Sequence, residues 1–124
     1  FLECTEECIL RVGALGRITF PKGHYCYVGR CTRGLEKRLR RHLRCHKPKR
    51  WHIDYLTTHP DFSVIRIATC DMEPDMEADV AEALSKHFRV IKYFGSTDTR
   101  ARGHLFYSPV PFDLGAIRDI LASM

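Results

Sequence analysis

Arg38 and His42 stand four residues apart, and Tyr25 and Tyr27 stand two apart. In a helix the first pair stacks along one side; in a strand the second pair shares one face. A guanidinium, an imidazole and phenols brought together suit a phosphate group. A phenol of ordinary pKa, about 10, needs nearby cations or a metal-bound water to act as a base near neutrality. Glu77 is a third candidate. On a helix over 75–89, Met76, Val80, Ala81, Leu84 and Phe88 form the apolar arc, and Glu77 falls inside it. A carboxylate there is costly unless it is paired or holds a metal. The plainer alternatives are that Arg38 snorkels, that His42 covers the core, that the tyrosines pack, and that Glu77 sits in a structural ion pair.

The charge is laid out unevenly around these residues. The 124-residue chain has 20 Lys and Arg against 15 Asp and Glu, a formal charge of +5. Half of the cations lie in 30–50: Arg30, Arg33, Lys37, Arg38, Arg40, Arg41, Arg44, Lys47, Lys49 and Arg50. Only Glu36 opposes them there, whereas 71–82 carries acidic residues and no basic one. Such a block suits a reader of phosphate backbones, and a solvated helix face is the alternative. With 44% hydrophobic and 28% charged residues the composition is that of an ordinary globular chain, and a folded domain is expected. No apolar run approaches the ~20 residues of a membrane span. The glycines form no dinucleotide or phosphate-loop motif.

The elements that must position these residues follow from periodicity and turn signals. Phe1–Cys4 reads as the inside of a strand, so residues upstream of Phe1 are expected to be missing. Cys8–Val12, Arg17–Phe20, Tyr25–Val28, Ser63–Ala68, Val90–Phe94 and His104–Tyr107 read as strands. Thr32–Cys45 reads as a helix capped by Thr32, with Leu35, Leu39 and Leu43 facing the core and Arg33, Lys37, Arg40 and Arg44 facing solvent. Trp51–Leu56 stays unassigned. Pro74 starts a second helix over 75–89, and Asp113 caps a last one bearing Leu114, Ile117, Ile120 and Leu121. Strands and helices mix without strict alternation. The expected class is α+β in a single domain, 1–124, with a small, mostly antiparallel sheet flanked by helices. The cysteines at 4, 8, 26, 31, 45 and 70 are scattered. Cys31, His42, Cys45 and His46 could be drawn as a zinc site, but their spacing fits no common structural pattern. Free thiols in a reducing cytoplasm are the favoured reading.

Three stretches together resemble a known family: Gly23-His24-Tyr25-Cys26-Tyr27-Val28-Gly29-Arg30, Gly34-Leu35-Glu36-Lys37-Arg38-Leu39-Arg40-Arg41-His42-Leu43, and Trp51-His52-Ile53-Asp54-Tyr55-Leu56. They are similar to the GIY-YIG nuclease superfamily. They look most like its little-characterised prokaryotic branch, some members of which are fused to DNA glycosylases of the endonuclease III type. Phe94–Asp98 and His104–Tyr107 match the closing motif of that branch. The resemblance implies metal-dependent cleavage of nucleic-acid phosphodiesters, in DNA repair or processing. One divalent ion, Mg2+ or Mn2+, is expected, and zinc is not. Tyr27, Arg38 and His42 match the catalytic positions and Glu77 the metal ligand. Tyr25, Arg30 and His104 match neighbours of the phosphate, and Arg33, Lys37, Arg40, Arg41 and Arg44 lie where the backbone would be held.

The resemblance further implies nucleic acid as partner, DNA favoured over RNA, no membrane, and a DNA glycosylase as partner or fusion. The chain departs from the pattern in three places. The first signature tyrosine would precede Phe1, position 30 is Arg instead of a small residue, and Thr99, Arg100 and Arg102 stand where cysteines are usual. A non-catalytic nucleic-acid-binding module of the same fold is the alternative, and a zinc-stabilised structural domain is a third reading.

Overall fold

A computed structural model describes residues 1–73, 75–96 and 101–124. Pro74 and, from the closing motif, Thr97, Asp98, Thr99 and Arg100 lie outside the described residues. The strands are β1 (Leu2–Cys4), β2 (Cys8–Arg11), β3 (Arg17–Phe20), β4 (Gly23–Tyr27), β5 (Phe62–Val64), β6 (Arg89–Ile91) and β7 (Leu105–Ser108). The helices are α1 (Leu35–Leu43), α2 (His52–Thr57), α3 (Met76–Ser85) and α4 (Leu114–Ala122). Among the described residues, five strands form one antiparallel sheet in the order β5-β1-β4-β7-β6, and β2 and β3 form a separate hairpin. The class is α+β. No helix among the described residues is long and apolar enough to cross a membrane.

The two-residue period of the strands sorts side chains onto two cores. Leu2, Cys4, Tyr25, Tyr27, Leu105 and Tyr107 face one way, against Phe20 of the hairpin, Ile53 and Leu56 of α2, and Phe94. The Phe20 ring meets Tyr25, Phe62 and Phe94 edge-on, at centroid distances of 5.9, 5.7 and 6.3 Å. Cys26 and Phe106 face the other way, against Ala81 and Leu84 of α3 and Ile117 of α4. The register opposes Tyr25 to both Leu2 and Tyr107, so β4 is the middle of the sheet and its end carries Tyr27.

Several boundaries differ from the sequence reading, for local reasons. α1 begins at Leu35 because Gly34 holds a left-handed φ of 63°, and Thr32 caps nothing. α3 stops at Ser85, so Phe88 reaches the second core from the turn beyond it. β5 ends at Val64 and β6 at Ile91. The unassigned Trp51–Leu56 stretch holds α2. The cap of α4 is as expected: Gly115 N–H donates to Asp113 Oδ1 at 2.8 Å.

Candidate functional site

α1 carries most of the candidate residues, yet it buries none of its own side chains fully. The two ends of the leucine stripe expected to face the core are turned outward, Leu35 45% exposed and Leu43 54%, while Leu39 between them is half-buried. Arg38, Arg41 and His42 face the protein instead. The cause is Asp54, fully buried at the start of α2. Its carboxylate accepts from Arg41 twice, at 2.8 and 2.9 Å, and from the backbone N–H of Arg50 and Trp51 at 2.8 and 2.9 Å. Lys47 Nζ lies 3.8 Å from it and donates to the Arg41 and His42 carbonyls that end α1. Burial alone would push the Asp54 carboxyl up, but Arg41 and the two N–H groups hold it below its ordinary value. The neighbouring Trp51 ring has the Arg41 and Arg38 guanidiniums 4.5 and 4.7 Å from its centroid.

This rotation brings three candidates together. Arg38 donates to the Arg30 carbonyl at 2.9 Å, which ties the helix to the segment leaving β4. His42 lies edge-on to the Tyr27 ring, 6.4 Å between centroids, and 6.0 Å from Trp51. Burial, then Lys47, holds the His42 imidazole below its ordinary pKa, so it is neutral at pH 7. Its Nδ1 is buried without a hydrogen-bond partner among the described residues. The other side of Tyr27 is closed by Gly95, whose φ is 71°; a Cβ there would lie 3.3 Å from the Tyr27 ring and 3.4 Å from His104 Cβ. His52 holds Gly95 in place by accepting its N–H at 2.8 Å.

Glu77 comes from α3, which packs on the sheet face opposite Tyr27, and meets His104, whose carbonyl accepts from Val28 N–H just past the Tyr27 end of β4. It sits in the first turn of α3, 16% exposed, with Oε1 3.9 Å from His104 Nδ1. Its place on the inner side of α3 agrees with the helix arithmetic. Two expected phosphate neighbours are corrected. Tyr25 is fully buried and donates its hydroxyl to the Pro21 carbonyl at 2.6 Å, so it belongs to the core. His104 is 1% exposed, which leaves it a place behind the site and no surface for a ligand. Arg41 is likewise committed to Asp54. Arg30, Arg33, Lys37, Arg40 and Arg44 are exposed, with Arg40 paired to Glu36.

A family model described as a domain of unknown function, DUF123, matches residues 1–122. The chain belongs to the DUF123 family. No curated protein and no solved structure matches it.

In this DUF123 domain, no group of three His, Cys, Asp or Glu side chains that could hold a metal forms among the described residues. Cys31, His42, Cys45 and His46 do not converge: Cys31 donates to the Arg33 carbonyl, Cys45 is exposed, and His42 packs on Tyr27. The Glu77 carboxylate would be one oxygen donor near the Tyr27 end of the sheet. A single hard oxygen ligand fits Mg2+, which keeps several waters and takes substrate phosphate oxygens, and it does not fit zinc. Asp54, Trp51 and His52 are the site residues that sequence reasoning missed. A run of cations with one acid inside it needs a counter-ion, and Asp54 directly follows that run. This is the signal that could have found it.

Proposed function

We propose that this DUF123 domain is a metal-dependent endonuclease of the GIY-YIG type that holds a nucleic acid on the outer face of α1 and hydrolyses a phosphodiester beside Tyr27. The observation that carries this reading is the convergence of Tyr27, Arg38 and His42 at the end of β4, under a helix whose outward side bears Lys37 and Arg40 and whose two ends are flanked by exposed Arg33 and Arg44. Arg38 spends one of five N–H donors on the Arg30 carbonyl, and the others are available to a phosphoryl oxygen that gains charge. Neutral His42 can accept a proton from an attacking water that Tyr27 orients. Glu77 would hold the divalent ion, which when bound supplies Lewis-acid stabilisation of a phosphate oxygen. DNA is the favoured substrate, in repair or processing, alone or beside a DNA glycosylase, in a cytoplasm that keeps the six thiols reduced.

The test is a nicking assay on DNA and RNA with Mg2+, Mn2+ or EDTA. Cleavage should need the cation. Glu77→Gln should abolish it and leave binding intact, and Arg38→Ala should lower it far more than it lowers affinity. Binding should weaken steeply with salt. Replacing Arg33, Lys37, Arg40 and Arg44 by Ala should reduce the slope of log K against log salt by up to about 3.6, or 0.9 per phosphate contact. Cleavage at the parent rate by both single variants refutes the site. Salt-sensitive binding without any cleavage leaves a non-catalytic binding module, which rests on the cationic face alone.

A further inference from the structure

Leu35 and Leu43 of α1 are exposed among the described residues, with Leu39 half-buried between them, and this exposure is built in. At 100° per residue, Arg38, Arg41 and His42 occupy one arc of the helix, and Leu35, Leu39 and Leu43 occupy another about 100° away. The first arc is spent on Trp51, Asp54 and Tyr27. Rolling the helix to bury the leucines would pull Arg41 from Asp54 and leave a fully buried carboxylate without its main partner. Leu35 and Leu43 thus stay at the surface, with Arg40 and Arg44 on one side and the Arg38–His42 edge of the candidate site on the other.

A partner for this face must be apolar and anionic at once. Resting on the nucleic-acid reading above, we infer that the Leu35–Leu39–Leu43 stripe is a wedge for unstacked bases, and that the substrate class is nucleic acid with locally unpaired or single-stranded nucleotides. Intact duplex hides its base faces in the stack and offers α1 only phosphates and groove edges. An unpaired stretch offers apolar base faces between phosphates, which leucines can cover without the unstacking cost that an apolar wedge meets in duplex. Leu35 and Leu43 are about 12 Å apart along the helix, more than one nucleotide step of a strand. The cations beside the stripe complement the phosphates that flank such bases. The adjoining Tyr27–Arg38–His42 cluster suits a phosphodiester, which favours a nucleic acid over a lipid surface here.

The experiment measures fluorescence anisotropy at one salt concentration on a DNA duplex, the same duplex with a central unpaired bubble, and the single strand. The parent should bind bubble and single strand about tenfold tighter than duplex. Leu35→Gln with Leu43→Gln should bring that ratio close to one while duplex affinity holds. Both leucines are exposed, so the variant should keep the parent's thermal melt, which is checked alongside. Salt-sensitive binding with no preference in the parent, or a preference untouched by the variant, overturns this inference and leaves the nuclease reading standing. Absence of any binding overturns both. Binding to phosphatidylserine vesicles that the double variant abolishes, with no preference among the DNAs, overturns the wedge in favour of a lipid surface.

Discussion

Asp54→Asn should be strongly destabilising although it replaces a single heavy atom. Asp54 Oδ2 accepts from the Arg50 and Trp51 N–H groups and from Arg41, and Oδ1 accepts from the second Arg41 nitrogen. An asparagine can keep its oxygen at the Oδ2 position, but its NH2 then faces an Arg41 N–H, donor against donor. The change also leaves Arg41, with a side chain 20% exposed, and Lys47, at 2%, without the charge that faces them. Breaking a buried pair by removing one partner costs about 3–5 kcal/mol. For a domain of this size the melting temperature should fall by roughly 10–20 °C. Urea unfolding should show a lower midpoint at an unchanged slope. Asp54→Asn combined with Arg41→Met should cost less than the sum of the two, by about 1–3 kcal/mol. The acid limb gives a second reading. Asp54 is held below its ordinary value of 3.8, so its contribution is in place above that pH and is lost as pH falls through the lowered native value. The variant should lack that loss. A cost below about 1 kcal/mol with strict additivity would refute the claim that this carboxylate sets the rotation of α1.

Two further expectations concern the other groups around Tyr27. His42 and His52 both have native pKa values below the ordinary 6.5, through burial first. The unfolded chain therefore takes up protons sooner, and stability should be full above pH 6.5 and fall as pH drops toward the native values; urea midpoints that stay level from pH 8 to 5 would contradict this. Gly95→Ala should cost about 1–2 kcal/mol for the left-handed backbone alone and should push the Tyr27 ring from its place; a parent-like melt together with an unchanged tyrosine spectrum would argue that Gly95 does not define the site.

The sheet was legible because its alternation is strong: Leu2 and Cys4, and Tyr25 and Tyr27, occupy the face that a two-residue period gives them. Glu77 was legible for a similar reason, since α3 follows its apolar arc and seats the carboxylate at the inner edge. α1 was not legible. Its apolar stripe is the most regular in the chain, and periodicity points such a stripe inward. A buried ion pair outweighs that rule here, and its acid lies thirteen residues away, on a helix too short to show a period. Tyr25 and His104 were misplaced because residue type marks chemistry without marking depth. Both sit in the interior of the sheet layer, where a hydroxyl meets a carbonyl or an imidazole meets a carboxylate.

The sheet order has a kinetic consequence. Within it, β4 meets β7 across Tyr25 and Tyr107, and β1 meets β5 across Leu2 and Val64, pairings between distant parts of the chain. The separate β2–β3 hairpin pairs locally, with Arg11 opposite Arg17. Closing such loops costs entropy before the contacts that repay it exist, so folding should be slow for a domain of this size. On a ribosome, the middle strand waits for its second neighbour until residues 105–108 have left the exit tunnel. Until then the Tyr27 edge of β4 stays open along its backbone, and a chaperone that shields strand edges has its longest opportunity there.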